Sequence, residues 1–346
     1  MDQAAEMTVV AISTPGGPEV LQLRTDPTPR PGPGEVLIRV AGSGINAPDL
    51  QQRRGRYDPP PGHSPIPGLE VSGEIVQLGD GAALHRLGDH VVALCNGGGY
   101  AEYVAVPEGQ VLPVPDGWNL VAAAALPETF FTIEQTLVMR AGLSAGMSVL
   151  IHGAAGGIGG AAIGIARTYG ARPIAVVSSP EKADYARRLG AWAVIDRLDH
   201  DFVLEARALT DGRGVDRIID IVGGSDLARN IDAAAVEGHI VQLATLGGAN
   251  AEINAGLIVS KRLTIHGSTL RPQPPAVKAA IATRLKAEIW PALADGRITP
   301  PRLQLFQLAD AVAAHEAMEQ RGNYGKIVMV TPFGAAFLGD YAIAGG

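Results

Sequence analysis

The sequence predicts an α/β chain of two parts, a compact mostly β domain and a doubly wound parallel sheet. Three observations lead there. A length of 346 residues fits two domains of ordinary size. Up to about residue 121 the chain is dense in Pro and Gly, with short β-rich runs between turn clusters. After Asn119, short apolar runs alternate with helical patterns, the signature of successive βαβ units.

In the first part the β-rich runs are residues 7–12, 36–41, 73–78, 90–94 and 101–106, separated by turn clusters such as 29–34 and 59–68. The second part opens with an Ala-rich segment, 121–125, and a helix across 132–140. Its strands are expected at 148–151, 173–177, 193–195, 217–222, 240–243 and 263–267, with helices between them. Gly170 and Gly190 stand where helices end, and Ser179-Pro180 offers an N-cap followed by a proline at the first helical position. From Arg271 onward the pattern gives one long helix, 276–295, a strand at 303–307, a helix at 309–320 and a strand at 326–330. Periodicity leaves open whether these extend the sheet or return to the first domain. Residues 331–346 show no period and are expected to form a loose tail.

Composition narrows the function classes. Cys95 is the one cysteine, so neither an internal disulfide nor a multi-thiolate zinc site can form, and a reducing compartment is expected. The formal net charge is −7, and basic residues cluster no further than pairs such as Arg53-Arg54 and Arg187-Arg188. Nucleic acid and anionic membranes are therefore not expected partners. Asp2 and Glu6 stand where a secretory leader would carry Lys or Arg. Residues 141–166 carry no charge, yet glycines, Ser144, Ser148 and His152 interrupt them, so no membrane span is expected. A cytoplasmic protein is the resulting expectation.

Between the first strand of the second part and its helix lies Gly153-Ala154-Ala155-Gly156-Gly157-Ile158-Gly159. A turn this rich in glycine lets backbone N–H groups approach a pyrophosphate, and the helix directs its positive end at the same anion. Its GxxGxxG spacing is one residue longer than the usual dinucleotide motif. At the end of the second strand, where an Asp or Glu would hold the ribose 2′-hydroxyl of NAD, the chain has Ser178 and Ser179. Lys182 lies one helical turn on, and Arg197 follows the third strand. Two cations without a facing carboxylate favour NADPH, unless Glu181 and Asp196 pair with them.

With these residues the chain resembles the zinc-free NADPH:quinone oxidoreductase branch of the medium-chain dehydrogenase/reductase superfamily, the relatives of zeta-crystallin. The likeness spans about residues 7–330. Besides the Gly loop it rests on Gly16-Gly17-Pro18-Glu19-Val20-Leu21, Gly44-Ile45-Asn46-Ala47-Pro48-Asp49-Leu50 and Gly55-Arg56-Tyr57-Asp58-Pro59-Pro60. It continues in Pro67-Gly68-Leu69-Glu70-Val71-Ser72-Gly73 and Gly98-Gly99-Tyr100-Ala101-Glu102-Tyr103-Val104. The resemblance implies a GroES-like catalytic domain formed by residues 1–122 and 271–346, with a Rossmann NADPH-binding domain, 123–270, inserted between them. It also implies a homodimer joined through the last Rossmann strand, residues 263–269. The zinc-dependent branch holds its metal with a Cys and the His of Gly-His-Glu. Here those places read Asn46 and Gly68-Leu69-Glu70, so no metal is expected.

Hydride transfer from NADPH requires the protein to orient an acceptor and to stabilise the oxyanion that develops on it. A quinone or conjugated ketone suits this better than an unactivated alcohol. In relatives the stretch 46–57 borders the nicotinamide. Asn46 is a candidate amide donor or a turn cap, Asp49 an orienting carboxylate or the cap of its helix, and Tyr57 a phenol donor or packing for Pro59 and Pro60. Arg271 matches a family arginine that polarises substrate or clamps cofactor, against a hinge salt bridge. Thr132 matches a position near the nicotinamide and Arg321 one near the adenosine. Cys95, with no flanking cation, is expected to be a core thiol. The expected function is reduction of small quinones or enones by NADPH. The rivals are an enone or enoyl-thioester reductase on the same scaffold and a non-catalytic NADPH-binding structural or regulatory dimer.

Overall fold

The computed structural model describes residues 5–320 and 322–343. In chain order it opens with β1 (Glu6–Ile12), β2 (Leu21–Pro27), β3 (Glu35–Gly44), α1 (Ala47–Arg53), β4 (Glu70–Leu78), β5 (His90–Leu94), β6 (Tyr103–Pro107), β7 (Val111–Pro113) and α2 (Pro127–Ile133). The middle runs β8 (Ser148–His152), α3 (Gly157–Thr168), β9 (Arg172–Val177), α4 (Pro180–Arg188), β10 (Ala193–Asp196), α5 (Phe202–Ala208), β11 (Val215–Asp220), α6 (Asp226–Ala233), β12 (Ala234–Gln242), α7 (Ala255–Lys261) and β13 (Thr264–Gly267). The last third gives α8 (Pro275–Arg284), α9 (Trp290–Ala294), β14 (Leu303–Gln307), α10 (Ala311–Glu319) and β15 (Lys326–Val330).

Two compact units result. The first takes the chain up to Phe131, Arg271–Trp290 and everything described from Arg302 onward. Its main sheet has the order β14-β15-β3-β4-β5-β7, with β6 also paired to β3. β3 reads Glu-Val-Leu-Ile-Arg-Val-Ala-Gly-Ser-Gly and is buried along almost its whole length, as a central strand covered on both faces must be. β15 pairs antiparallel with β3, so the chain end returns to the first unit, the point periodicity left open. β2 lay outside the sequence expectation. Its Leu-Gln-Leu-Arg-Thr-Asp-Pro run buries only Leu21, and its register with β1, Ile12 opposite Leu21, makes it a half-exposed hairpin arm.

The expected loose tail is corrected as far as Ile343. The Thr331 hydroxyl donates to the Val40 carbonyl and accepts the Gly334 N–H at 3.1 Å. Phe333, Phe337, Leu338 and Ile343 pack on the core around Ala41, Leu305 and Val328, and the Arg39 guanidinium lies 4.2 Å from the Phe333 ring centroid. Isolated large side chains on single turns give burial without any repeating pattern, so periodicity could not show it.

The break at 270/271 is where the structure divides, but the first limit falls after Phe131 instead of at 122/123, and one later segment changes sides. The Ala-rich segment belongs to the first unit, because Gly42 on β3 lets Ala124 and the Val121 carbonyl close to 3.1 Å of where a Cβ would stand. Pro291–Pro301 belongs to the second, where Ile298 seats against Gly164 of α3. The single helix expected over 276–295 is broken by a wide π turn at Leu285–Ile289. Pro291 offers no N–H and crowds the carbonyl four residues back, and the widened turn upstream accommodates it.

The second unit is a six-stranded sheet in the order β10-β9-β8-β11-β12-β13, parallel throughout. In its own strand order that is 3-2-1-4-5-6, with the reversal between β8 and β11. Among the described residues no helix is long and apolar enough to cross a membrane.

Candidate functional site

In the second unit every residue of β8 is buried, and the strand runs straight into the Gly loop. Gly153 has φ +62°, and a Cβ there would come within 2.4 Å of Ile221 Cδ1. A Cβ on Gly159 would stand 2.4 Å from the Ala154 Cα, so helix and loop could not close. The fold therefore demands both. Gly156, the N-cap of α3, is different: its backbone is extended, and a Cβ would meet nothing nearer than the Gly153 carbonyl at 3.4 Å. Ala155 beside it is buried, and the N–H groups of Gly157, Ile158 and Gly159 open the helix without acceptors four residues back. That leaves a bare backbone face at a positive helix end, which fits a pyrophosphate.

The neighbouring strand ends complete the cradle. β9 ends at Val177, followed by Ser178 and by Ser179, whose Oγ accepts the Lys182 N–H at 3.3 Å and starts α4. Arg197 donates its backbone N–H to the Val177 carbonyl at 3.0 Å, which puts this exposed residue beside Ser178. Asp196 turns its carboxylate to the Leu198 N–H at 3.1 Å. The structure thus brings the loop, Ser178, Lys182 and Arg197 to the carboxyl ends of three adjacent strands. Thr132 lies on α2, nearly buried, with its carbonyl accepting the Thr136 hydroxyl at 2.6 Å. Arg321 lies outside the described residues.

Sequence reading missed what supports this loop. His152 Nε2 meets Asn230 Oδ1 at 2.7 Å, and Asn230 Nδ2 donates to Asp220 Oδ2 at 3.0 Å. Asp220 Oδ1 accepts the N–H groups of Val222 and Gly223 at 2.6 and 3.0 Å. All three side chains are buried, and burial pushes the His152 pKa down, keeping the ring neutral. They tie β8 to β11 across the point where strand order reverses, the usual ligand crevice of such sheets.

The first unit gathers a cluster of ionisable groups, and here the catalytic candidates need correction. Asp49 accepts the Asn46 N–H at 2.8 Å and the Gly68 N–H at 3.1 Å, so it caps α1 and braces the loop before β4 instead of orienting a ligand. Burial raises its pKa to about 6 against those two bonds. The Asn46 amide is committed as well: Nδ2 donates to Glu70 Oε1 at 2.8 Å, and Oδ1 accepts from Lys326 Nζ at 2.8 Å. Lys326 also pairs directly with Glu70, and both are almost wholly buried. Arg271 is a strut. Its Nε and Nη2 donate to the Asn96 carbonyl at 2.9 and 2.7 Å, and Nη1 donates to Gln52 Oε1 at 2.9 Å. Carbonyl oxygens thus hold the guanidinium, and among the described residues no carboxylate makes the hinge salt bridge with it. Tyr57 is partly buried with the Arg271 guanidinium 5.4 Å from its ring centroid; burial, then Glu128, pushes its pKa up to about 12.

Glu70, Glu128, Lys278 and Lys326 were not singled out as functional. The signal was available: each is a lone charge in an apolar run, and a charge in a buried run needs a partner. Lys278, 1 % exposed, donates to Asn96 Oδ1 and to the Arg271 carbonyl at 2.8 Å, with its pKa lowered to about 8 by burial. Glu128 gives its backbone N–H to Glu70 Oε2 at 2.8 Å, and its own carboxyl is raised to about 8, first by burial and then by Glu70 and Asp49. Cys95 is buried and unpaired, its pKa pushed well above the ordinary thiol range by burial.

A zinc ion does not fit this cluster. Among the described residues no group of three His, Cys, Asp or Glu could hold a metal, and the Lys326 ammonium already occupies Asn46 and Glu70.

Comparison with known proteins agrees with this architecture. The family profile "Alcohol dehydrogenase GroES-like domain" matches residues 32–116, and "Zinc-binding dehydrogenase" matches residues 157–285. A quinone oxidoreductase of Pseudomonas aeruginosa is 33% identical over 321 residues, covering 91% of this chain and 97% of the relative. The quinone oxidoreductase of Homo sapiens is 30% identical, covering 94% and 98%. A mycobacterial protein solved in complex with NADPH superposes with a TM-score of 0.82 at 28% identity, covering 94% of this chain and all of that one. Loop, strand order, lost metal ligands and full-length similarity converge on one lineage: this chain belongs to the medium-chain dehydrogenase/reductase superfamily, in its quinone oxidoreductase branch.

Proposed function

We propose that this oxidoreductase is specific for NADPH and reduces small quinones or related conjugated carbonyls without zinc. The observation that carries the cofactor choice is the end of β9, where Ser178 replaces the carboxylate that would repel a 2′-phosphate and Arg197 is held beside it by the Val177 carbonyl. The amides at the start of α3 hold the pyrophosphate, and Lys182 stands one turn into the neighbouring helix. Bound there, the reduced nicotinamide supplies a hydride. Tyr57, neutral at ordinary pH, has a phenol able to donate to the acceptor oxygen. The substrate class follows the names of the full-length relatives.

A second copy of the chain pairs along β13, an edge strand with exposed residues including Ile265. The buried unpaired Cys95 suits a reducing compartment such as the cytoplasm. Calorimetry with NADPH and NADH, followed by an acceptor panel of a quinone, an enone and an enoyl-CoA, tests the reading. Tighter binding of NADH, or no acceptor consuming NADPH, sinks it. Arg197→Ala is expected to weaken NADPH binding about 10-fold, or about 1.4 kcal/mol, and to leave NADH unchanged.

A further inference from the structure

A cavity of about 350 Å³ opens within the first unit, among the β1–β2 hairpin, the start of β3, β6 and the loop that follows β5. That volume falls in the range of small-molecule sites. Ile66, Val104 and Val106 give it an apolar wall, and Gln110 lines it from the turn between β6 and β7. Gln110 is 1 % exposed. Its Nε2 donates to the Leu94 carbonyl at 2.8 Å, but its Oε1 has no partner among the described residues. A buried acceptor without a donor is costly, so the missing half of this bond has to come from outside the chain. The charge around the cavity is one-sided. Two carboxylates, Asp26 and Glu35, line it, and among the described residues no lysine or arginine does. Asp26 is paired with Arg24 at 3.1 Å, whereas Glu35 spends Oε2 on the Gly32 N–H at 2.9 Å and pairs with no cation among the described residues. His63, also in the wall, is kept neutral by burial and then by Lys278 and Arg271, and Lys278 itself is turned to Asn96 Oδ1 and the Arg271 carbonyl.

We propose that this cavity binds a small organic amine, whose N–H groups donate to Gln110 Oε1 and whose positive charge is held by the Glu35 carboxylate, with its apolar body against Ile66, Val104 and Val106. The choice of ligand follows from what the walls lack. An anion brings acceptors to a site that already has an acceptor too many, and it meets two carboxylates. A neutral alcohol supplies one donor and gains nothing from the charge of Glu35. An ammonium group carries three donors and no acceptor, and its hydrogen bonds to carboxylate and amide oxygens are charge-assisted. The site lies within one unit and uses neither the dinucleotide nor the acceptor. It therefore stands or falls apart from the reductase reading.

Calorimetry on the full chain near pH 7 tests this with benzylamine, benzyl alcohol and benzoate, three molecules of similar size that differ in charge and donors. Benzylamine is expected to bind with a Kd below about 1 mM, benzyl alcohol about 10-fold more weakly and benzoate not at all. Gln110→Leu removes the orphaned acceptor and should weaken benzylamine about 10-fold. Glu35→Gln keeps an oxygen for the Gly32 N–H while removing the charge. It should weaken benzylamine about 5-fold and narrow its lead over the alcohol, and it decides the matter if Gln110→Leu melts too low. A crystal soaked in benzylamine should place its nitrogen within about 3.2 Å of Gln110 Oε1. A wild-type chain that takes up no benzylamine, with an ordered water alone on Gln110, overturns the proposal. Benzoate binding as tightly as benzylamine, or folded variants that keep the wild-type affinity, overturns it too.

Discussion

The two units bury polar side chains in opposite ways. Behind the Gly loop, His152, Asn230 and Asp220 make a short chain in which one carboxylate is met by an amide and two backbone N–H groups, and the histidine stays neutral. In the first unit, full charges are packed against each other around Glu70 and Lys326. Fixed dipoles hold a shape and offer no proton. Crowded charges are costly to assemble, yet they move pKa values toward neutrality, where proton transfer becomes useful. The contrast separates a unit that braces its loop with neutral partners from one that concentrates charge.

The largest expected effect is on the charged side of this contrast. Lys326→Met strands Glu70 without its counter-ion and should cost about 3–5 kcal/mol in urea unfolding. On the dipolar side, Asn230→Ala leaves His152 and one Asp220 oxygen unpartnered, with an expected cost of about 1–3 kcal/mol. Equal losses from the two would erase the distinction. His315 sharpens it differently. Buried between Tyr100 and Arg53, it has its pKa pushed down to about 3, first by burial, so its neutral form is native. The stability it contributes is present above about pH 6.5 and is lost as pH falls toward 3, and His315→Gln should flatten that acid-side loss in melting curves. The smallest effect on stability belongs to Gly156→Ala. The fold has room for the methyl, so unfolding should barely change while calorimetry shows weaker dinucleotide binding.

The Gly loop was legible because its chemistry is local. A strand, a tight turn and a helix start occupy consecutive residues, and Ser178 and Arg197 follow from counting strands. The charged cluster was not, because it is assembled from residues 46, 49, 70, 128, 271, 278 and 326, which lie far apart along the chain except for the pairs 46/49 and 271/278. Asn46, Asp49 and Arg271 were each found with a functional and a structural reading, and the helix cap offered for Asp49 is the one the structure shows. Their residue types suit substrate contact, and only three-dimensional packing reveals that backbone groups and neighbouring side chains already use them. The lone charges at Glu70 and Lys326 were visible in apolar strands, though their partnership across 256 residues was not. Burial of residues 331–343 depended on scattered aromatics that form no pattern.

The order in which strands enter the first sheet bears on how the protein is made. β15 lies between β14 and β3, so β3 lacks its neighbour on that side until nearly the whole polypeptide has been synthesised. The inserted unit ends at Pro301 and can close while the ribosome is still working. Until Lys326 emerges, Glu70 has water for company, and the strands around it stay open to the wrong neighbours. A premature stop just before residue 326 should therefore leave a finished nucleotide-gripping half attached to an aggregation-prone remnant.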